Sequence, residues 1–239
     1  MIFTRTPFRV SFFGGGTDIP DWFTHEGGQV LSTTIDKYCY VTARHLPPYF
    51  DHSIRLAYSR IETVSNAADI EHPLLRAVLE GERVDNIEIH YDADLPGNSG
   101  LGTSSSFGAG LLSALKGLEG KLLSQEALAD RVIHYEREVL AEPGGYQDQI
   151  AAAFGGFNRI TFHKNGSWSV HPLPFPKARM DALQSRLQLC YIPIKRFSGE
   201  HSVARDFDRK KHEERLRFLQ SSVDQAIDIL GDGDLDDFG

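Results

Sequence analysis

The stretch that decides the fold runs from Pro96 to Phe107 and reads PGNSGLGTSSSF. Before it, residues Ile87–Asp92 have apolar side chains at every second position, which predicts a β-strand. After it, Phe107, Leu111 and Leu118 share one helical face together with Ala114 or Leu115. The stretch is therefore predicted to be a glycine-rich turn that joins a strand to the start of a helix.

The composition of this turn favours phosphate binding. Glycine occurs five times within residues 97–110, and glycine lets the backbone take positive φ and approach a ligand closely. Free N–H groups at a helix N-terminus, with the positive end of the helix dipole, attract phosphate. Three successive hydroxyls, Ser104–Ser106, can add hydrogen bonds or a Mg²⁺ ligand. The alternative is a tight turn with a serine N-cap, which needs fewer glycines.

Two common phosphate loops do not fit the stretch. The Walker A motif needs a lysine, and none occurs between Pro96 and Lys116. The dinucleotide motif Gly-x-Gly-x-x-Gly would need a third glycine at the position of Ser105. The stretch instead resembles the Pro-x-x-x-Gly-Leu-Gly-Ser-Ser-Ser ATP loop of the GHMP small-molecule kinases.

This resemblance implies an α+β fold of the GHMP kinase type, with ATP and Mg²⁺ as cofactors. It implies a ribosomal protein S5 domain 2-like N-terminal domain over residues 1–176 and an incomplete, ferredoxin-like C-terminal domain over residues 177–239. The nucleotide-binding residues it implies are Pro96, Gly97, Asn98, Ser99, Gly100, Leu101, Gly102, Thr103, Ser104, Ser105 and Ser106.

A second informative segment, residues 136–149, reads EREVLAEPGGYQDQ. Glu136 follows Val132 by four residues and precedes Leu140 by four, near the apolar stripe of a helix predicted over Gln125–Leu140. An ionised carboxylate is costly there without a cation, which Mg²⁺ would supply. The alternative is that Glu136 points to solvent. Asp148 follows a Gly-Gly turn, where it can reach a ligand or act as the N-cap of a short helix.

The Gly-Gly-x-x-Asp-Gln pattern in this segment resembles the GHMP segment that carries the catalytic aspartate. The resemblance implies that Asp148 takes the proton from the sugar hydroxyl and that Glu136 binds Mg²⁺ with Ser104, Glu138 being the fallback for Glu136. It also implies that Gly145 and Gln147 contact the substrate.

A third segment, residues 5–18, reads RTPFRVSFFGGGTD and resembles the first GHMP motif, which binds sugar in galactokinase-like members. The resemblance implies that Arg9 lies beside Asp148 and stabilises the transferring charge. It also implies that Gly16, Thr17 and Asp18 contact the sugar. The alternative is a solvated Arg9 on a strand and Asp18 as a helix N-cap before Pro20.

Three details point to one branch of the family: the GGGTD form of the first motif, the run GGYQDQIAAAFGGFN over residues 144–158, and TIDKY over residues 34–38. They resemble the branch that acts on D-glycero-D-manno-heptose 7-phosphate, which implies phosphoryl transfer from MgATP to the anomeric C1 hydroxyl. Another sugar such as fucose or galactose, a mevalonate-type alcohol, and a non-catalytic sugar or nucleotide sensor remain alternatives. The third, C-terminal glycine-rich GHMP motif is not found, so the second domain is expected to be incomplete.

Composition limits the partners. The 239 residues are 41% apolar and 24% charged, as in ordinary soluble globular proteins. The formal net charge of −8 argues against nucleic acid and anionic membranes. No apolar run approaches the ~18 residues of a membrane span. Cys39 and Cys190 form no metal or redox motif, so reduced thiols and a cytoplasmic location are expected. The predicted partner is a small sugar or sugar phosphate, and the predicted state is a monomer or homodimer.

Hydrophobic periodicity predicts the remaining elements. Strands are expected over Phe8–Phe12, Gln29–Ile35, Lys37–Arg44 and Leu187–Ile194, and helices over Asn66–Glu80 and 201–230. A hairpin is expected between residues 157–162 and 167–171, with its turn at Asn165-Gly166.

Overall fold

A computed structural model describes residues 1–97, 99–190 and 209–239, which form two compact units. Unit 1 comprises Met1–Arg9, Thr34–Pro143 and Asp148–Gly155. Unit 2 comprises Val10–Thr33, Gly144–Gln147 and Gly156–Gly239. The units interleave along the chain, because β1 (Ile2–Phe13) and β2 (Gly28–His45) each contribute residues to both. The predicted domain boundary at residue 176 stays a prediction.

The sheet of unit 1 has the strand order β4 (Ile61–Val64), β3 (Ile54–Ala57), β5 (Ile87–Ala93) and β2. The β3–β5 pair is parallel and the other two pairs are antiparallel. Along β2, the alternate residues Cys39, Val41 and Ala43 are buried, as expected for a sheet with one face in the core.

Helices cover the core of unit 1. They are a 3₁₀ turn (Ala67–Asp69), α2 (Pro73–Glu82), α3 (Thr103–Leu118), α4 (Gln125–Ile133) and α5 (Gln147–Phe154). One π-turn, His134–Val139, extends α4. The core residues of this unit include Phe8, Val41, Leu56, Leu75, Ile89, Phe107, Leu111 and Val132. Burial of the apolar face of α3 fixes the helix that begins at the glycine-rich turn.

In unit 2, residues 28–33 of β2 pair with β6 (Phe157–Phe162), and β6 pairs with β7 (Trp168–Pro172). Helical segments complete the unit: α1 (Pro20–Glu26), α6 (Lys177–Gln184), α7 (Arg209–Asp232) and a 3₁₀ turn (Leu235–Phe238). Its core residues include Leu31, Leu183, Val223, Ala226, Leu230 and Phe238.

Several predicted elements are confirmed and others are wrong. The hairpin of β6 and β7 is present. The two strands predicted on either side of Asp36 are one continuous strand, β2, in which Asp36 is exposed and makes no turn. The helical stretch predicted over Asn66–Glu80 is a 3₁₀ turn, Ala67–Asp69, followed by α2. Pro73 restarts the helix, as predicted, because proline lacks the N–H that a helix interior needs. Residues 187–190 have no regular structure, and the rest of the strand predicted there, with residues 201–208 of the last predicted helix, lies outside the described residues.

Across residues 1–97, 99–190 and 209–239, no helix has the length and apolarity that a membrane span requires.

Candidate active site

The glycine-rich turn leads from β5 into α3 and lies next to a charged pair in unit 1. Gly102 is the N-cap of α3 and has φ +71°, in the region that favours glycine. A Cβ at Gly102 would lie 3.2 Å from Arg9 Cγ and 3.5 Å from Asp148 Oδ2. The turn backbone therefore needs glycine at this point, both for its conformation and for its close approach to Arg9 and Asp148.

The N-terminus of α3 is arranged to receive an anion. Its N-cap is Gly102, not a serine, so no side chain caps the N–H groups of the first turn. Ser106 Oγ donates to the carbonyl of Pro7 at 2.8 Å, and Arg9 N donates to the carbonyl of Leu101 at 3.1 Å. Ser99 Oγ is buried and has no hydrogen-bond partner among the described residues. Asn98, predicted to bind nucleotide, lies outside the described residues.

Arg9 and Asp148 form a partly buried ion pair. Arg9 Nε and Nη2 lie 2.8 Å and 2.6 Å from Asp148 Oδ1, and Arg9 Nη1 donates to the Gly100 carbonyl at 2.8 Å. Asp148 lies in the first turn of α5, not in the preceding loop as the sequence suggested. The alternative of a solvated Arg9 is wrong, since its side chain is only 12% exposed. The guanidinium thus joins the glycine-rich turn to the carboxylate predicted to be the base.

Glu136 lies in the π-turn and is 1% exposed, so the alternative of a solvent-facing carboxylate is wrong. Its Oε1 accepts from Ser104 Oγ at 2.8 Å. Its Oε2 accepts from Ser105 Oγ at 2.8 Å and from Gln149 Nε2 at 2.5 Å, with Arg137 Nη2 at 4.0 Å. The structure therefore brings the two predicted metal ligands, Ser104 and Glu136, together.

The fallback ligand, Glu138, is not part of this group. Its exposed side chain pairs with His134 at 2.7 Å. The preceding residue in the chain, Tyr135, donates its hydroxyl to Glu82 at 2.8 Å. Two consecutive side chains of the widened turn, Tyr135 and Glu136, are therefore both buried, and they form hydrogen bonds with different residues.

The oxygen atoms of Ser104 and Glu136 suit Mg²⁺ that arrives with a phosphate ligand. Among the described residues no group of three or more His, Cys, Asp or Glu side chains converges as an all-protein metal cage. Magnesium is commonly bound by one or two protein oxygens together with substrate phosphates and water. The pKa of nearby Glu142 is raised by burial and then by the charge of Glu136, and it is lowered by Arg137.

The residues predicted to contact substrate form a second group, in unit 2, around Asp18. Asp18 is 2% exposed; its Oδ1 accepts from Gly16 N at 3.0 Å and Gln147 Nε2 at 3.2 Å, and its Oδ2 accepts from Gln147 N at 3.1 Å. A Cβ at Gly145 would lie 1.8 Å from Asp18 Oδ2, so only glycine fits there. Gln147 Oε1 is buried and has no hydrogen-bond partner among the described residues.

Thr17 has a different environment from Asp18. It is fully buried, and its hydroxyl lies 2.8 Å from the Gly14 carbonyl, 2.9 Å from the Gln29 carbonyl and 3.1 Å from Gln29 N. The hydroxyl therefore shapes the GGGTD turn. The alternative role of Asp18 as a helix N-cap is wrong, because the N-cap of α1 is Ile19.

Residues 64–156 match the family described as GHMP kinases N terminal domain. The match includes the glycine-rich turn, Glu136 and Asp148, so the resemblance predicted from the sequence is confirmed.

Relatives of known activity are sugar kinases. The chain is 29% identical to D-glycero-alpha-D-manno-heptose 7-phosphate kinase of Campylobacter jejuni, over 92% of this chain and 69% of the relative. It is 28% identical to galactokinase of Thermococcus kodakarensis, over 93% of this chain and 61% of that kinase. The chain therefore spans about two thirds of the length of these relatives. They support the predicted class of an ATP-dependent sugar kinase.

A solved structure confirms the GHMP kinase fold. The crystal structure of a D-glycero-D-manno-heptose 1-phosphate kinase from Bacteroides thetaiotaomicron aligns with a TM-score of 0.82 at 24% identity. The alignment covers 100% of this chain and 76% of that kinase. The predicted α+β fold class is confirmed by this similarity.

Gln149 is a residue of the Glu136 group that the sequence did not single out. Its position directly after Asp148 was visible as part of the Asp-Gln pattern. Its hydrogen bond to Glu136 joins residues that are 13 positions apart, and periodicity carries no signal for such a contact.

Proposed function

We propose that this protein transfers the γ-phosphoryl group of MgATP to a sugar hydroxyl. The observation that carries the proposal is the Arg9–Asp148 pair, which lies against the glycine-rich turn at Gly102. A phosphate on the N-terminus of α3 would therefore lie close to a carboxylate that can receive a proton. Phosphoryl transfer depends chiefly on such positioning and on neutralising charge.

The glycine-rich turn and the N-terminus of α3 would hold the ATP phosphates, with the predicted contacts from Pro96 to Ser106 remaining predictions. Ser104 and Glu136 would hold Mg²⁺, which when bound neutralises phosphate charge. Arg9 would add a second positive charge, since its guanidinium already faces the turn through the Gly100 carbonyl.

Asp148 would orient and deprotonate the acceptor hydroxyl. Arg9 takes Oδ1 with two N–H groups, which leaves Oδ2, the oxygen nearer Gly102, for the incoming proton. Because both N–H groups bind Oδ1, they hold that oxygen in place, so the base is positioned before the substrate binds.

For the acceptor we propose D-glycero-D-manno-heptose 7-phosphate, phosphorylated at its anomeric C1 hydroxyl. The similarity to the Campylobacter jejuni kinase supports this choice. The substrate contacts of Gly16, Thr17, Asp18, Gly145 and Gln147 stay predictions. A free hexose is the second candidate, because galactokinases are also among the relatives. We retain the predictions of a cytoplasmic location and a monomer or homodimer.

The test is ³¹P NMR of the protein with MgATP and the heptose 7-phosphate, with galactose and fucose in parallel samples. We expect a new anomeric phosphate signal with the heptose. Asp148→Ala should reduce turnover by about two orders of magnitude or more, which is the usual contribution of a general base, while ATP still binds.

The matched control is Asp94→Ala, which removes another carboxylate of unit 1 that accepts hydrogen bonds, from Tyr38 N and the Tyr40 hydroxyl. Its turnover should equal that of the unmodified protein. Near-normal turnover of Asp148→Ala would remove Asp148 from the mechanism. If the protein binds ATP but phosphorylates none of the sugars tested, the proposed kinase activity is contradicted and a sensor is favoured.

A further inference from the structure

We propose that Gln149 is a positioning residue for Glu136, which holds Oε2 of that carboxylate and thereby directs Oε1 toward Ser104 and the metal. This inference rests on the proposed function, since it concerns the same Mg²⁺ ligands.

Within the described residues, the Gln149 amide is oriented toward Glu136. Gln149 is 0% exposed, and its Nε2 lies 2.5 Å from Glu136 Oε2. The reverse amide orientation would set two acceptors against each other, so the donor must face the carboxylate. Its Oε1 is buried without a hydrogen-bond partner among the described residues. An unpaired buried acceptor is destabilising, so an apolar side chain would serve better if packing were the only requirement.

The two carboxylate oxygens of Glu136 have different hydrogen-bond partners. Oε2 accepts from two donors, Ser105 and Gln149, neither of which is a predicted metal ligand. Oε1 accepts from Ser104, the other predicted ligand. Partners that bind the far side of a ligand orient it, and their loss typically weakens metal binding about 10- to 100-fold.

Helix α5 thereby positions both the proposed base, Asp148, and the proposed metal ligand, Glu136. Consecutive helical residues point about 100° apart. Asp148 turns to Arg9 while Gln149 turns to Glu136. One helix turn therefore fixes the base and the metal ligand together.

The experiment measures the affinity of Mn²⁺, a paramagnetic probe for the Mg²⁺ site, by electron paramagnetic resonance. The full chain is saturated with a non-hydrolysable ATP analogue. Gln149→Met keeps the length of the side chain and removes its donor. We expect its Mn²⁺ Kd to rise at least about tenfold.

A double-mutant cycle separates positioning from packing. Glu136→Gln should itself weaken Mn²⁺ binding. If Gln149 acts through Glu136, adding Gln149→Met to Glu136→Gln should produce little further loss. Equal losses in both backgrounds would overturn the inference. The control is Arg55→Met, which removes a donor from another buried carboxylate, Glu88, and should leave the Mn²⁺ Kd unchanged.

Folding of each variant is checked by circular dichroism and thermal melting. Should Gln149→Met not fold, Ser105→Ala removes the other donor to the same oxygen and is measured in the same cycle. An unchanged Mn²⁺ Kd for Glu136→Gln would overturn the metal site of the proposed function as well. A weakened Kd for Glu136→Gln with unchanged values for Gln149→Met and Ser105→Ala would overturn this inference alone.

Discussion

Glu136 and Glu88 are both buried glutamates of unit 1, and their charges are balanced in different ways. Three neutral donors hold Glu136: two hydroxyls and one amide. Two arginines and a histidine surround Glu88: Arg44 Nε at 2.6 Å, His90 Nε2 at 2.9 Å and the Arg55 guanidinium. The charge of Glu88 is thus balanced by cations in close contact, whereas Glu136 accepts hydrogen bonds from neutral groups and has Arg137 Nη2 at 4.0 Å from its Oε2.

The pKa of Glu88 reflects its charged partners. Burial alone would raise it, but hydrogen bonds from His90, Arg44 and Arg55 lower it to about 2. The charge of Glu136 acts on a neighbour, Glu142, whose pKa is raised by burial and by that charge and lowered by Arg137. A carboxylate balanced by neutral groups keeps an attraction for a cation that a carboxylate paired with arginines has lost. We therefore expect changes at Glu136 to affect turnover and changes at Glu88 to affect stability.

The largest expected effect is that of Glu136→Gln on turnover. Removing a Mg²⁺ ligand should lower kcat about 100- to 1000-fold, because metal stabilisation of transferring charge contributes several kcal/mol. The melting temperature should change little, because the substitution removes a buried charge at the same time as its attraction to Arg137, whose Nη2 lies 4.0 Å away. The ³¹P NMR assay and a thermal melt check both expectations. Normal turnover of Glu136→Gln would contradict the proposal that Glu136, unlike Glu88, binds Mg²⁺.

Glu88→Gln should lower the stability of the fold and leave turnover unchanged. Its folded-state pKa of about 2 lies below the ordinary value of 4.5, so the ionised form stabilises the fold by about 3 kcal/mol at neutral pH. This contribution is complete above about pH 4.5 and is lost as the pH falls toward 2. Urea unfolding at pH 7 should reveal the loss, and the variant should depend less on pH between 4.5 and 2. Turnover of the folded variant should be unchanged.

The smallest effect sharpens the comparison between two arginine–carboxylate pairs. Arg9→Lys keeps the charge beside Asp148 but loses the forked contact and the bond to the Gly100 carbonyl, so turnover should fall about tenfold. Arg44→Lys makes the same change beside Glu88, where turnover should not respond. A loss of equal size in both variants would mean that the fork of Arg9 has no special role.

The sequence predicted the glycine-rich turn, the start of α3 and the family, because these signals are local. The spacing of apolar residues changes from every second position to a helical period of about 3.6 residues around a cluster of glycines, and this change is visible within about 30 residues. The burial of Glu136 was only one of two alternatives, because its position depends on the π-turn and periodicity assumes an α-helix. Gln149 was missed for a related reason: its partner lies 13 residues away.

The strand boundaries show the same limit. Asp36 resembles a turn residue, yet it lies within one 18-residue strand, β2, which pairs with β5 and with β6 on either side of this position. Short strands such as β3 and β4 bury too few residues to produce a clear alternation. Interleaved units, in which β1 and β2 serve both cores, cannot be inferred from shifts in composition along the chain.

This interleaving has a consequence for synthesis on the ribosome. Every segment of unit 1 has been translated by residue 155, whereas the early segment Val10–Thr33 belongs to unit 2. Its apolar residues Phe12, Phe13 and Leu31 pack in a cluster with Val223 and other residues near the end of α7. At ordinary translation rates of about 5–20 residues per second, that early segment is without these partners for roughly 10 to 40 s. During that time the nascent chain would expose these apolar side chains to chaperones, although every residue of unit 1 has already been translated.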